Sequence, residues 1–243
     1  MCFHNSLSES AQKIESRFNA KFESGVDFQP IYHASGFSFP KWVVITTEKP
    51  NTIQMYQWGL IPHWIKSLED ATRFRANTLN AQSETVFKKP SFRFSIKEKR
   101  CLVISTGFYE WQDINKKKYP YFIKLKNKTL FAMAGIYQNW TDSKTGNLFN
   151  TFSILTTSAN PLLEKIHNMK KRMPVIVSVD KENEWIDIEL SSEKIKSLFT
   201  PLNEQQLTAY TISKLITSRS ENSNVPEVQN EYIYEELKQM SGG

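Results

Sequence analysis

The feature that most constrains the fold of this 243-residue chain is a series of short segments rich in β-branched and aromatic residues. Segments of this length and composition, bounded by turn-forming residues, are typical of β-strands. They predict strands over residues 42–47, 53–58, 101–105, 108–112, 119–125, 130–134, 136–140, 148–156 and 174–179. Residues 115–118 and 141–147 lie between such segments and predict hairpin turns.

Helical periodicity is found before and after most of these strands. Ser6 and Glu9 have the spacing of a capping box, and apolar residues follow at helical intervals as far as Phe22, which predicts an early helix. Further helices are predicted over residues 161–168, 181–189 and 192–199. Because no linker or repeat divides the chain, we predict a single α+β domain over residues 1–243, with a curved, mainly antiparallel, barrel-like sheet and flanking helices. Its last part, from about residue 217, is predicted to be a short acidic tail.

The composition indicates a folded protein of a reducing, intracellular setting. Hydrophobic residues make up 40% of the chain and aromatic residues 13%. Two cysteines, no secretory signal and no apolar run near the ~20 residues of a membrane helix predict a soluble cytoplasmic protein without a membrane partner. Cys2 and His4 have ligand-like spacing, but no zinc pattern, P-loop or glycine-rich dinucleotide turn follows. We therefore predict no metal and no nucleotide cofactor.

The net charge of +6 is concentrated in one part of the chain. Residues 73–100 contain eight basic residues against Glu84 and Glu98, which is again an excess of 8 − 2 = +6. Phe87, Phe92 and Phe94 are interleaved with these charges. Such a segment suits a nucleic-acid backbone with stacking platforms beside it, although a solvated lysine-rich surface has the same composition.

Cys2 directly follows the initiator Met, whose removal would leave an amine and a thiol on adjacent carbons. Such a 1,2-aminothiol condenses with an aldehyde to an imine, and the thiol then closes a stable thiazolidine ring. The α-amine titrates at about 7.7–8.0 and a free thiol at about 8.5, so both groups are within reach of activation near neutral pH. The alternative is an incidental cysteine at a frayed terminus.

Three further polar residues are candidates for chemistry. Glu110 is flanked by aromatic residues, an environment that raises the pKa of a carboxyl and suits a general acid or base. His167 precedes a cationic cluster and could move protons or contact phosphate. The amide of Asn80 could orient a substrate. Each residue also has a plain structural interpretation, namely an outward strand position, an exposed histidine and a turn residue, respectively.

Motifs in a fixed order along the chain resemble the SRAP family, the SOS response-associated peptidase-like proteins that protect abasic DNA by cross-linking to it. The matching segments are the Met1-Cys2 start, WGLIPHW at 58–64, NAQSET at 80–85, RCLV at 100–103, GFYEW at 107–111, PYF at 120–122, FSILTTSAN at 152–160, IH at 166–167 and RMPVI at 172–176. Several collinear motifs are far more specific than any one of them.

The resemblance implies a role for each candidate residue. Cys2 would be the cross-linking nucleophile, Asn80 would hold the sugar or backbone, Glu110 would move protons, and His167 would assist ring opening and reversal of the cross-link. The implied partner is single-stranded DNA with an abasic site, whose ring-opened deoxyribose presents an aldehyde. A missing base also removes the unstacking cost that other base-processing enzymes meet. The implied location is the cytoplasm, in association with the nucleoid.

Departures from the family pattern concern DNA contacts more than the cross-linking chemistry. Phe3-His4 stands where the family usually has Gly-Arg, His33 replaces an Asn, and Gln82 replaces an expected Arg. Residues 168–171 include an insertion before the RMPVI segment. The residues that we expect to contact DNA, some of them in compensation for the lost charge, are Trp64, Arg73, Arg75, Gln82, Lys170, Lys171 and Arg172.

Three other functions fit part of the sequence. An amidotransferase-type hydrolase also exposes Cys after Met, but no further motif of that class follows. A thiol peptidase or autopeptidase would use Cys2 and His167. A non-catalytic nucleic-acid-binding module would leave Cys2 idle.

Overall fold

The computed structural model describes residues 2–237, so Met1 and residues 238–243 of the predicted acidic tail lie outside the described residues. The strands are β1 (His4–Leu7), β2 (Lys21–Phe22), β3 (Ile31–Ser35), β4 (Lys41–Thr46), β5 (Thr52–Trp58), β6 (Asn80–Gln82), β7 (Arg100–Ser105), β8 (Gly107–Ile114), β9 (Lys117–Leu125), β10 (Phe131–Thr141), β11 (Leu148–Ser158), β12 (Arg172–Pro174), β13 (Ile176–Val177) and β14 (Leu207–Thr211). The α-helices are α1 (Ala11–Phe18), α2 (Leu68–Phe74), α3 (Ser95–Glu98), α4 (Pro161–Ile166), α5 (Glu182–Trp185) and α6 (Ser192–Ser197). Short 3-10 turns cover Gly36–Ser38, Arg75–Thr78, Val179–Lys181, Glu204–Gln206, Lys214–Thr217 and Pro226–Gln229.

Five strands close into a small mixed barrel. Neighbours pair antiparallel in the order β5, β4, β7, β10 and β11, and β11 then pairs parallel with β5 to complete the ring. Trp42, Trp58 and Phe152 pack together in the core. The ring centroid of Trp58 is 6.5 Å from that of Trp42 and 6.1 Å from that of Phe152. Both indole nitrogens donate hydrogen bonds of 2.8 Å to backbone carbonyls, so these large rings are buried without an unpaired donor.

A second, antiparallel sheet has the order β14, β9, β8, β1 and β3. The N-terminal strand β1 lies inside this sheet, where Asn5 is paired with Phe108 of β8 and with Ala34 of β3. Buried polar groups reinforce the pairing, since Asn5 donates to the Ser105 hydroxyl at 2.9 Å and Thr106 N donates to Ser6 O at 2.8 Å. The backbone just after Cys2 is therefore held on both sides.

The described part of the predicted acidic tail packs against the second sheet. Gln229 donates to the Ser6 hydroxyl at 2.6 Å, and Glu231 forms a bridge with Ile212. The Asn224 side chain accepts hydrogen bonds from the backbone N–H groups of Tyr32 and His33. This segment, residues 222–237, is thus part of the folded domain. No helix within residues 2–237 combines the length and apolarity that crossing a membrane requires.

The predicted α+β architecture with a barrel-like, mainly antiparallel sheet is confirmed, but several elements differ. Ser6 is not a helix cap, because its backbone belongs to β1; the hydroxyl of Ser10 caps α1 instead. The two strands predicted on either side of Gly135 are one strand, β10, and the strand predicted over 174–179 is divided between β12 and β13. The helix predicted over 181–189 is the single turn α5.

Arg100, counted in the basic segment, is a structural residue of the interior. It is fully buried, and its guanidinium donates to Trp185 O at 2.9 Å, Ile96 O at 3.1 Å and the carbonyls of Lys97 and Asp187. These bonds join the end of α3 to the turn after α5. The charge of Arg100 is therefore not available to a partner.

We expect Arg100→Met to lower the free energy of unfolding by about 3 kcal/mol, because buried carbonyls lose their donor. Urea denaturation followed by tryptophan fluorescence measures the change. Arg93→Met, at an exposed position of the same segment, is the control and should change stability by less than about 0.5 kcal/mol. Equal losses for the two variants would contradict the assigned role of Arg100.

Candidate active site and nucleic-acid interface

Cys2 lies at the base of the second sheet, directly before β1. Its side chain is fully buried, and its thiol donates to His4 O at 3.7 Å. Burial raises the pKa of the Cys2 thiol well above its ordinary value, and the nearby charge of Glu110 raises it further. The thiol is therefore held protonated at neutral pH in this environment.

Glu110 lies on β8, opposite Tyr121 of β9. Its side chain faces the same region as Cys2, and the residue is only 5% exposed. Burial raises the pKa of Glu110 to about 7, although the charge of Lys170 acts in the opposite direction. A carboxyl with this pKa exists in both protonation states near neutral pH and suits proton transfer.

His167 directly follows α4, whose first turn is capped by the side chain of Asn160. Its Nδ1 is 2.9 Å from Arg172 O, and because a carbonyl only accepts, Nδ1 carries the proton. The same Nδ1 is 3.8 Å from Glu110 Oε1. Burial lowers the pKa of His167 to about 4, so at neutral pH the ring is uncharged and Nε2 holds a lone pair. The Asn168 side chain fixes this loop through hydrogen bonds to the backbone of Asp113.

Asn80 begins β6, which pairs with β11 on the side away from β12. The residue is buried, and neither atom of its amide has a hydrogen-bond partner among residues 2–237. A buried amide without a partner calls for an explanation, because almost all buried polar groups are hydrogen-bonded.

Glu110 and His167 line a cavity of about 390 Å³ that opens to the surface. Its lining includes His4, Glu110, Trp111, His167 and Lys170. The structure thus brings Glu110 and His167 into one cavity. Cys2 directly precedes two of its lining residues, Phe3 and His4, but neither Cys2 nor Asn80 lines the cavity. Within residues 2–237, no group of three His, Cys, Asp or Glu side chains is arranged to hold a metal ion.

Two of the residues predicted to contact DNA border a surface cavity of about 660 Å³. Trp64 is 42% exposed and stands edge-on to Phe74, with ring centroids 5.1 Å apart. Arg73 is exposed at the end of α2 and forms an ion pair with Glu69. Both side chains are accessible to a nucleic acid.

Arg75 is a correction to the sequence-based expectation. It is only 7% exposed, its guanidinium donates to Trp58 O and Gly59 O at 3.0 Å, and it stacks on Phe39. The sequence alone suggests a surface charge at this position, because the packing of the loop after β5 depends on residues distant in the chain. The structure favours a role in holding that loop.

The cluster before β12 is divided between structural and exposed residues. Arg172 makes a bidentate ion pair with Glu84, with distances of 2.5 and 2.9 Å, and also donates to Thr156 O at 2.6 Å. Lys170 and Lys171 are exposed, and Lys170 lines the cavity of Glu110. Gln82 is half-buried beside Thr156. The free positive charge of this cluster is therefore that of the two lysines.

The aromatic residues of the basic segment are mostly core residues. Phe92 is buried, and Phe87 packs against Phe199 and the main core. Phe94 alone of the three is exposed, at 52%, where it meets His63 edge-on. Of the predicted stacking platforms, only Phe94 is available to a base.

A pair of histidines at the cavity was not recognised as functional from the sequence. His4 on β1 and His33 on β3 are hydrogen-bonded, with 2.8 Å between Nδ1 of His4 and Nε2 of His33. His4 lines the cavity and stands edge-on to Trp111, with ring centroids 4.7 Å apart. The one indication in the sequence is that both positions depart from the family pattern, with His4 in place of Arg and His33 in place of Asn.

Comparison with solved structures supports the same fold. A crystal structure of a protein from Bacteroides thetaiotaomicron is 40% identical in sequence, with a TM-score of 0.88 over 96% of this chain and 100% of that chain. A protein from Bordetella bronchiseptica, with 21% identity and a TM-score of 0.73 over 87% of this chain and 100% of that chain, shares the fold.

Sequence comparison identifies named relatives. The abasic site processing protein YoqW of Bacillus subtilis is 34% identical over 226 residues, which are 92% of this chain and 97% of the relative. The abasic site processing protein HMCES of Gallus gallus is 32% identical over 183 residues, which are 67% of this chain and 53% of that protein. The family model described as SOS response associated peptidase (SRAP) matches residues 1–219. From this match over nine-tenths of its length, we conclude that the chain belongs to the SRAP family.

Proposed function

We propose that this protein processes abasic sites in DNA by forming a thiazolidine cross-link through Cys2 once Met1 has been removed. The names of its relatives, which are abasic site processing proteins, support the substrate class. The observation that carries the cross-linking chemistry is the position of Cys2 beside Glu110, a buried carboxyl whose pKa is about 7. Single-stranded DNA is the proposed form of the substrate.

In the first stage, the neutral α-amine of Cys2 attacks the aldehyde of the ring-opened deoxyribose. The resulting carbinolamine must lose its hydroxyl as water. Protonated Glu110 supplies the proton, which leaves an iminium ion and the Glu110 carboxylate. In this proposal, Nε2 of His167 accepts a hydrogen bond from the anomeric hydroxyl and orients it as the furanose ring opens, while the proton of that hydroxyl passes to the ring oxygen.

In the second stage, the thiol adds to the iminium carbon. A carbon–sulfur bond forms, the carbon–nitrogen double bond becomes single, and the thiol proton passes to the Glu110 carboxylate. Glu110 is thereby returned to its protonated form, and the net reaction releases one water. A protonated thiol suits this order, because the amine reacts first and the thiol loses its proton only as the ring closes.

The surrounding residues would position the DNA. The unpaired amide of Asn80 is proposed to bind the opened sugar or its backbone, which would satisfy a buried polar group. Trp64, Arg73, Lys170 and Lys171, which are exposed, are the proposed contacts to the strand, and the half-buried Gln82 is a further one. Arg172 would act through its ion pair with Glu84, which holds the loop of His167.

The peptidase alternative is less well supported. A thiol peptidase needs a thiolate, and burial raises the pKa of the Cys2 thiol. An imidazole that activates such a thiol would normally gain positive charge, whereas burial lowers the pKa of His167 to about 4. Aldehyde capture by a neutral amine has neither requirement. Turnover of a peptide substrate by the intact protein would favour the peptidase.

We expect protein with a free Cys2 terminus to form an adduct with single-stranded DNA that carries one abasic site. Denaturing mass spectrometry should show the mass of protein plus DNA minus water, stable without a reductant. Cys2→Ser should give only an imine, because it keeps the amine and loses the thiol, and this imine should survive only after borohydride reduction. Cys101→Ala is the matched control, since Cys101 is equally buried but lies in the barrel strand β7.

The outcomes separate the candidate functions. Absence of the adduct from protein with a verified Cys2 terminus would refute the cross-linking proposal. An adduct of equal stability in Cys2→Ser would refute the thiazolidine while leaving capture by the amine. An unchanged adduct in Cys101→Ala and its loss in Cys2→Ser would assign the chemistry to the terminal thiol.

The cross-linking rate should depend on pH through Glu110. The active form is the protonated carboxyl, so the rate should fall as the pH rises through about 7, while deprotonation of the amine near 7.7–8.0 raises it. The wild-type profile should therefore pass through a maximum. Glu110→Gln should be slower by about a hundredfold and should only rise to a plateau with pH. Single-turnover rates across the pH range in which the protein stays folded test this, and a falling limb retained in Glu110→Gln would contradict it.

A further inference from the structure

A continuous chain of hydrogen bonds runs from the cavity to residues 222–237. Nδ1 of His4 is 2.8 Å from Nε2 of His33, and Nδ1 of His33 is 2.7 Å from the Ser223 hydroxyl. His4 belongs to β1 and His33 to β3, so the two rings stand on neighbouring strands and stack at an angle of 11°. The remaining nitrogen, Nε2 of His4, belongs to a side chain that lines the cavity of Glu110 and His167.

We propose that His4 is a further substrate-binding residue, which donates a hydrogen bond from Nε2 to a backbone phosphate beside the abasic sugar, and that His33 and Ser223 are its positioning residues. This inference rests on the proposed function, because it takes DNA with an abasic site as the occupant of the cavity. His4 would supply a contact that the exposed lysines do not, namely an uncharged donor on a strand that is paired on both sides.

The two rings act as neutral groups. In a direct bond between two imidazole nitrogens, one must donate and the other must accept, so the two bonded nitrogens cannot both carry protons. Burial agrees with this, since it lowers the pKa of His4 to about 3, with the charge of His33 adding to the effect, and the pKa of His33 to about 4. The pair therefore brings no net charge to the cavity.

A bound phosphate fixes the donor and acceptor of every hydrogen bond in this series, because phosphate oxygens only accept hydrogen bonds. His4 then carries its proton on Nε2 and accepts at Nδ1 from Nε2–H of His33. His33 in turn accepts at Nδ1 from the Ser223 hydroxyl. Each bond polarises the next in the same sense, which strengthens the final donor.

His33 is held independently of the substrate. The Asn224 side chain accepts from the backbone N–H of His33 at 3.2 Å and from that of Tyr32 at 2.7 Å. The imidazole ring of His33 stands edge-on to the ring of Tyr109, with centroids 5.3 Å apart. His4 is equally restrained, between His33 and Trp111. The donor is therefore oriented before DNA binds, which lowers the entropy lost on binding.

The test uses wild-type protein with a Cys2 terminus and single-stranded DNA that carries a tetrahydrofuran abasic analogue, which lacks the aldehyde and reports binding alone. In His4→Asn, the amide can replace Nδ1 and keep the bond to His33, but nothing replaces Nε2. His4→Gln places its amide near the position of Nε2. We expect about tenfold weaker binding for His4→Asn and substantial recovery for His4→Gln.

Salt dependence distinguishes this contact from a charged one. A neutral donor releases no counterion, so His4→Asn should leave the slope of log Kd against log salt unchanged. Lys170→Gln should reduce the magnitude of that slope by about one. His33→Phe keeps a ring beside Tyr109 and removes the positioning bond but not the donor, so it should weaken binding less than His4→Asn and add no further loss in the double variant.

A spectroscopic readout tests the tautomer directly. Imidazole ¹⁵N shifts of the bound protein should show a protonated Nε2 on His4 and on His33. Wild-type affinity in His4→Asn, failure of His4→Gln to recover binding, or a reduced salt slope in His4→Asn would each overturn the proposal. Failure of the proposed function would appear separately, as no adduct between wild-type protein and DNA with a true abasic site.

Discussion

The insertion of β1 between β3 and β8 is the constraint on which the candidate site depends. An N-terminal segment usually frays, but here both edges of β1 are hydrogen-bonded, and the buried side chain of Asn5 fixes it further. Cys2 therefore has a defined position relative to Glu110, which lies on the neighbouring strand β8. The same pairing brings His4 next to His33. A short strand of four residues thus fixes the positions of Cys2 and His4 relative to the rest of the cavity.

Burial has one consistent effect on the titratable groups around this cavity. It raises the pKa of the Cys2 thiol and of Glu110, and it lowers the pKa of His4, His33 and His167. In each case the uncharged form is favoured. The site is accordingly suited to a reaction that begins with a neutral amine and passes protons over short distances. The exposed positive charge remains outside the cavity's buried groups, on lysines and on Arg73.

The sequence was sufficient to predict the strands of the barrel and the family, because β-branched runs and collinear motifs are local signals. It was insufficient wherever a distant backbone decides the role of a side chain. The composition of the basic segment suggests that Arg75 and Arg100 carry surface charges. Both guanidinium groups are instead buried, where they donate hydrogen bonds to backbone carbonyls of residues 58–59 and 185–187. The spacing of Ser6 and Glu9 indicated a helix cap, but pairing with β8 placed Ser6 in a strand. The link between His4 and His33 depended on a strand pairing that no local pattern reveals.

The contact between Gln229 and Ser6 has a consequence for the order of events during synthesis. These residues are 223 positions apart, and Ser223 similarly reaches back to His33. The segment that carries Cys2 is therefore synthesised well before Gln229, which becomes its neighbour in the fold. A nascent chain therefore presents its terminal cysteine without the completed cavity around it. The fold around Cys2 is thus complete only in chains whose translation has passed Gln229.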